Sequence, residues 1–148
     1  MTIRRANAVD LPALTRVAHA AKQHWGYPDA WMVLWRDDLT FTAATLEQCA
    51  VFCMEQDTGV VATYALHCDK QEAELEHFWV DPACMGEGLG RQLFAHACTQ
   101  ARAHGARRLR IASDPHAEGF YRAMGARRVG GVPSVPAGRM LPLLDVEL

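Results

Sequence analysis

The sequence has no apolar run of membrane-spanning length, no Cys-x-x-Cys pair and no histidines at metal-ligand spacing. The first absence excludes a membrane-spanning helix. The second leaves five scattered cysteines, Cys49, Cys53, Cys68, Cys84 and Cys98, an odd number with no signal peptide ahead of them. They read as reduced thiols of a cytoplasmic protein, with Cys49 and Cys53 packed as small apolar residues at or in a strand. The third absence argues against a metal, since His67 and His77 fall on separate expected strands. An excess of either charge is also missing. With 15 Lys and Arg against 17 Asp and Glu, the formal charge of −2 gives no electrostatic reason to expect nucleic-acid binding. There is no internal repeat and no low-complexity tract.

What is present suits one domain over residues 1–148, large enough for a real core. Thr2–Arg5 reads as a first strand. Asp10 as N-cap, with Pro12 in the first turn, starts a helix to about Gln23, in which Leu11, Leu14, Val17, Ala18 and Ala21 recur at helical spacing. His24–Pro28 breaks that helix, and Asp29 or Ala30 opens a short second one through Trp31, Leu34 and Trp35. Cys49–Glu55 and Val60–His67 are strand-like and joined by Gln56-Asp57-Thr58-Gly59, a hairpin signal. Ala73–Val80 is the next strand. Leu89, Leu93, Phe94, Ala97, Cys98 and Ala101 then line one face of a helix that stops near His104-Gly105. Arg108–Ala112 and Arg127–Val132 read as strands around a helix at Ala117–Met124. Gly130–Gly138 reads as a loop before a last strand within Arg139–Glu147. Pro142 cannot donate to a ladder, so that strand starts after it or carries a bulge. Arg107, Arg108 and Arg110, with Arg127 and Arg128, form basic clusters that read as solvated surface, the alternative being attraction for a cofactor's phosphates.

The glycine-punctuated segment Val80-Asp81-Pro82-Ala83-Cys84-Met85-Gly86-Glu87-Gly88-Leu89-Gly90 lies between an expected strand and an expected helix. Such a turn aims backbone N–H groups at one point, and the helix adds the positive end of its dipole, which suits a phosphorylated cofactor. Gly86, Gly88 and Gly90 are expected to let that ligand approach the main chain. A Walker loop needs Lys-Ser or Lys-Thr after its last glycine, and Arg91-Gln92 follows here. A dinucleotide fingerprint needs G-x-G-x-x-G directly after the first strand, and the spacing here is G-x-G-x-G. Val80-Asp81-Pro82 followed by Met85–Gly90 instead resembles the V-x-P…[R/Q]-x-x-G-x-[G/A] motif of the GCN5-related N-acetyltransferases (GNAT family). Asp114–Ala126 is similar to that family's later N-x-x-A-x-x-F-Y-x-x-x-G-[F/A] segment. The two motifs occur in the family's order and, with the strands between them, cover residues 73 to about 130. Met85 stands where the family usually has Arg or Gln, and Asp114 where Asn is usual.

The resemblance implies an α/β fold of the α+β type: a mixed, largely antiparallel sheet of about seven strands flanked on both faces by about four helices. It implies acetyl-CoA as acetyl donor, no metal, and direct transfer to an amine. Carried over by position, Trp79, Val80, Met85, Gly86, Glu87, Gly88, Leu89, Gly90, Arg91, Asp114 and Ala117 would hold the cofactor. The Val80 N–H would polarise the thioester. Tyr121 would protonate the departing thiolate, a role that a phenol near pKa 10 suits. Glu76, four residues before Val80 and on its face if alternation is unbroken, either takes the amine's proton or attracts a cationic acceptor. Read from the residues, Trp25 and Tyr27 beside a glycine in a helix break form a pocket lip, while Trp31 and Trp35 read as core. Asp37 and Asp38 add negative charge nearby. The expectation is an acetyltransferase acting on a small amine, with a protein amine or a non-catalytic cofactor-sensing module as alternatives. No nucleic-acid or membrane partner is expected; the family often forms dimers, so a homodimer is allowed.

Overall fold

The described residues form seven strands: β1 (Thr2–Arg5), β2 (Ala50–Gln56), β3 (Gly59–Asp69), β4 (Glu72–Val80), β5 (Arg108–Ala112), β6 (Arg127–Ser134) and β7 (Arg139–Glu147). In the computed structural model, which describes residues 2–148, they form one sheet in the order β1-β2-β3-β4-β5-β7-β6. Every neighbouring pair is antiparallel except β4 and β5. Five helices pack on it: α1 (Leu11–Gln23), α2 (Asp29–Leu34), α3 (Ala43–Gln48), α4 (Leu89–Ala103) and α5 (Glu118–Ala123). The mixed, largely antiparallel sheet is the expected one, with one helix more than expected. The addition is α3, a short helix opened by a reciprocal cap between Thr42 and Thr45.

Each face of the sheet has its own core. Helix α1 buries Leu14, Val17 and Ala18 against Val51, Cys53 and Ala65, joined by Met32, Trp35, Leu39 and Phe41. On the other face α4 lays down Leu89, Leu93, Phe94, Ala97, Cys98 and Ala101 over Phe52, Met54, Tyr64, Leu66 and Leu75. Removing each large apolar side chain from water contributes about 1.5–3 kcal/mol, so helical spacing on α1 and α4 suffices to fix both helices on the sheet.

Four details depart from the expected elements. Asp10 does not cap α1 with its side chain. Its carboxylate accepts from the Asn7 N–H at 2.9 Å and pairs with Arg4 at 2.9 Å, while Asn7 caps the short 3-10 turn Ala8–Asp10 that leads into the helix. Strand β6 continues to Ser134, so the loop before β7 is shorter than Gly130–Gly138. Strand β7 runs through Pro142, whose carbonyl accepts from the Ser113 N–H at 2.9 Å, and the irregularity lies on β6 between Arg128 and Gly130. In β4 the alternation is broken. His77 faces Ala65 and Leu75 faces Leu66, which leaves Glu76 as the extra residue of a β-bulge.

The fold positions a cleft through one further feature. Strands β4 and β5 are paired only at Glu72–Arg108, Ala73–Leu109 and Glu74–Arg110. Beyond Glu74, β4 runs on to Val80 with no strand on its β5 side. The Asp81 N–H donates to Val61 O at 2.8 Å, so by antiparallel alternation Trp79 and His77 also bond β3, and the Val80 and Phe78 amides face the parted side.

Candidate active site

A cavity of about 420 Å³ fills the space where β4 and β5 part. Its walls are β4 from Leu75 to Val80, the loop Cys84–Gly88, the start of α4, the end of β5 and helix α5. Two of the loop glycines sit in the left-handed region, Gly86 at φ +84° and Gly88 at φ +79°, where an L side chain strains the backbone. The third differs from expectation. A Cβ on Gly90 would lie 3.3 Å from the Phe120 ring, so this glycine is there for the packing of α4 on α5. Gln92 is the first amide of α4 to find a helical partner, at 3.3 Å from Gly88 O. Among the described residues none of the amides from Gly86 to Arg91 donates to another group, and they stand at the N-terminus of a 15-residue helix.

Most of the residues singled out in the sequence line this one cavity: Trp25, Glu76, Trp79, Val80, Met85, Gly86, Gly88, Leu89, Gly90, Arg91, Asp114, Ala117 and Tyr121. Glu87 and Tyr27 do not. Cys84, in the short turn Pro82–Cys84, packs against the core. Burial and the nearby Glu87 and Asp81 raise its pKa, so it remains a thiol. Of the basic clusters, Arg108 and Arg110 are committed to Glu72 and Asp145, and none of the five arginines lines the cavity; the solvated-surface reading holds for them.

Tyr121 is buried with its ring among Phe78, Phe94 and Phe120, at centroid distances of 5.8, 5.7 and 5.3 Å. Burial, aided by the charge of Asp114, raises its pKa, so the phenol keeps its proton at neutral pH. Glu76 is not on the face of Val80. The bulge turns its carboxyl to the α1 face, beside Glu74, and it lines both the cavity and a neighbouring trough of Gln48, His67, Asp69, Glu72 and Glu74. Desolvation by the surrounding sheet, then the Glu74 carboxyl, raises its pKa. His77 is packed against Phe41 at 4.2 Å and accepts from Trp79 Nε1 at 3.0 Å; burial pushes it down to about 4, so it is neutral.

Asp114 has a different setting from that expected of a cofactor ligand. Lys22 Nζ lies 2.6 Å from its carboxylate, the Tyr27 hydroxyl donates to it at 2.9 Å, and Arg139 Nη2 lies at 3.4 Å. Burial opposes its ionisation, but Lys22 and the donated hydrogen bonds outweigh that and hold the pKa at about 2. Tyr27 is thereby a bridge and not a pocket lip, its pKa pushed up to about 12 by burial and Asp114. Trp35 is core as expected, with Nε1 donating to Val135 O at 2.9 Å. Sequence reasoning missed Lys22, Arg139 and His116. The one signal for them was an acidic residue in place of the family's usual Asn at position 114, which calls for buried cations around it.

Comparison with known proteins gives the geometry its context. The family model of the acetyltransferase (GNAT) family matches residues 13–126. The blasticidin-S acetyltransferase of Streptomyces morookaense is 31% identical over 108 residues, covering 72% of this chain and 79% of that protein. The PaiA N-acetyltransferase of Thermoplasma acidophilum, solved in complex with coenzyme A, superposes with a TM-score of 0.79 at 14% identity, over 99% of this chain and 98% of that one. The ribosomal-protein-S18-alanine N-acetyltransferase of Escherichia coli does so with a TM-score of 0.73 at 21% identity, over 99% and 92% of the two chains. With a family match across most of the chain and a relative above 30% identity, the chain belongs to the GNAT family of acetyltransferases.

Proposed function

We propose that this acetyltransferase moves an acetyl group directly from acetyl-CoA to the amine of a small molecule in the cytoplasm. The observation that carries the donor half is the run of free amides from Gly86 to Arg91 at the N-terminus of α4, opening into the gap between β4 and β5. That arrangement suits a pyrophosphate at the glycine loop and an extended amide-bearing arm along β4, where Phe78 and Val80 present strand amides without a strand. Met85 adds no donor, and its place in the loop leaves anion binding to the backbone.

The chain's residues then divide the work. The Val80 N–H is placed to donate to the thioester oxygen as negative charge develops there. The amine nitrogen forms the new C–N bond as the C–S bond breaks. Tyr121 gives its phenolic proton to the sulfur, and Glu76 receives the proton lost by nitrogen; exchange with solvent restores both groups. The bulge suits Glu76 to this task, since it lets the carboxyl line both the cavity and the acidic trough beside it. The small-molecule half is supported by the relative named for blasticidin-S acetylation.

Calorimetric titration with acetyl-CoA, free CoA and NADH tests the donor. Both CoA species should bind, and NADH should not. Thiol release from acetyl-CoA is then followed with tyramine, spermidine and an alanine-ended peptide. Turnover with either small amine and not with the peptide is expected. Peptide turnover alone would replace the reading with protein acetylation, and CoA binding with no turnover would favour a cofactor-sensing module.

A further inference from the structure

Asp114 sits just past the end of β5, and its carboxylate is the shared counter-ion of two buried cations. Lys22 from the last turn of α1 and Arg139 from the start of β7 both reach it, at 2.6 and 3.4 Å. The same two cations lie over the same two rings, 4.5 and 4.6 Å from the centroid of Trp35 and 5.1 Å each from that of Tyr27. The Tyr27 hydroxyl donates to the carboxylate, and so does the His116 backbone N–H at 2.9 Å. Its oxygens are thus taken up by protein donors. An Asn at this position would offer Lys22 and Arg139 no charge, and both would be left buried beside each other without an anion.

The consequence of this knot reaches the cavity through two neighbours. Trp25, two residues before Tyr27, and His116, two residues after Asp114, stack face to face with centroids 5.0 Å apart and planes at 5°. Both line the cavity, while Lys22, Tyr27 and Arg139 stand behind them. The turn between α1 and α2 has no strand pairing to hold it, and its connection to the β5–α5 segment runs through the Asp114 carboxylate, this stack and a contact of the Tyr27 hydroxyl with His116 Nδ1 at 3.1 Å.

We propose that Asp114 is a positioning residue for the acceptor and not a ligand of the cofactor. It clamps the turn carrying Trp25 onto the segment carrying His116, so that the two rings form one wall of the acceptor end of the cavity. The proposal rests on the acetyl-transfer reading for the word acceptor, and on geometry alone for the clamp.

The test combines a spectroscopic, a binding and a kinetic readout on the full chain. Protein labelled with 5-fluorotryptophan gives four fluorine resonances, with those of Trp25 and Trp79 identified by their loss in Trp25→Phe and Trp79→Phe. In Asp114→Asn the Trp25 resonance should move while that of Trp79, beside His77 on β4, stays. Acetyl-CoA affinity by calorimetry should change less than twofold. With whichever of tyramine, spermidine or the alanine-ended peptide turns over fastest, KM for the amine should rise at least tenfold and kcat change less than threefold. Tyr27→Phe, which removes only the hydroxyl, should show the same pattern more weakly and stands in if Asp114→Asn fails to fold. An unmoved Trp25 resonance would overturn the clamp. A tenfold loss of acetyl-CoA affinity with an unchanged amine KM would make Asp114 a cofactor ligand after all. Movement of both resonances with a parallel fall in every constant would reduce it to a general stabiliser. Absence of turnover by the unaltered protein with any probe would instead sink the function reading and leave the clamp to the fluorine spectrum.

Discussion

At the scale of single residues, the site separates groups that act by charge from groups that act by withholding it. Tyr121 has been taken out of water among aromatic rings, and its raised pKa keeps it an acid until a stronger base than water appears beside it. Glu76 is shifted in the same direction, its pKa raised by desolvation and by Glu74, and for a carboxylate that makes a better proton acceptor. The two roles, proton donor and proton acceptor, predict different variants. Tyr121→Phe should lower kcat by about 10²-fold or more at unchanged acetyl-CoA affinity, because only the proton donor is lost. Glu76→Gln should lower kcat/KM by about 10²-fold and remove the acidic limb of its pH profile. Steady-state kinetics across pH, with calorimetry on both variants, checks the pair; an unchanged acidic limb in Glu76→Gln would remove Glu76 from the mechanism.

At the scale of elements, the three glycines of the loop belong to two different structural demands. Gly86 and Gly88 hold left-handed backbone with open space around them, whereas Gly90 keeps room for Phe120. Gly86→Ala is therefore expected to cost about 1–2 kcal/mol in backbone strain at the loop and to weaken acetyl-CoA binding. Gly90→Ala should instead lower the melting temperature by displacing Phe120, with a smaller effect on the cofactor. Thermal melts and calorimetry of the two variants separate these outcomes. The same elements show what a sequence discloses. Helices α1 and α4 were legible because Leu14, Val17 and Leu93, Phe94, Ala97 repeat at the helical period, and the loop because its glycines and Pro82 punctuate it. Helix α3 was not, because it buries no residue fully and so carries no apolar stripe. The bulge at Glu76 was not either, since an extra residue in β4 leaves the composition of the strand unchanged and shows only in its register with β3. Asp114 was legible as a motif position, but its partners come from α1 and β7, 92 and 25 residues away, beyond the reach of any local pattern.

At the scale of the whole molecule, two buried groups set a staged response to acid. His77 titrates near 4 in the folded protein against about 6.5 in an unfolded chain, so the unfolded state takes up its proton first. Its contribution to stability is complete above about pH 6.5 and is lost as pH falls to 4. Asp114 titrates at about 2 against an ordinary value of 3.8, so its contribution is complete above about pH 4 and is lost as pH falls to 2. Each window amounts to about 2–3 kcal/mol at most. Melting temperature should thus decline in two stages, and His77→Gln should flatten the first and leave the second; a decline unaltered by that change would show that His77 does not govern it. The parted strands have a mechanical counterpart to this. The two halves of the sheet are joined at one end of the cleft by the three paired positions of β4 and β5, and at the other end α1 is tied to the tip of β5 by Lys22 and Asp114. A slot pinned at both ends is built as a frame and not as a hinge, and its width is expected to change little when it is occupied.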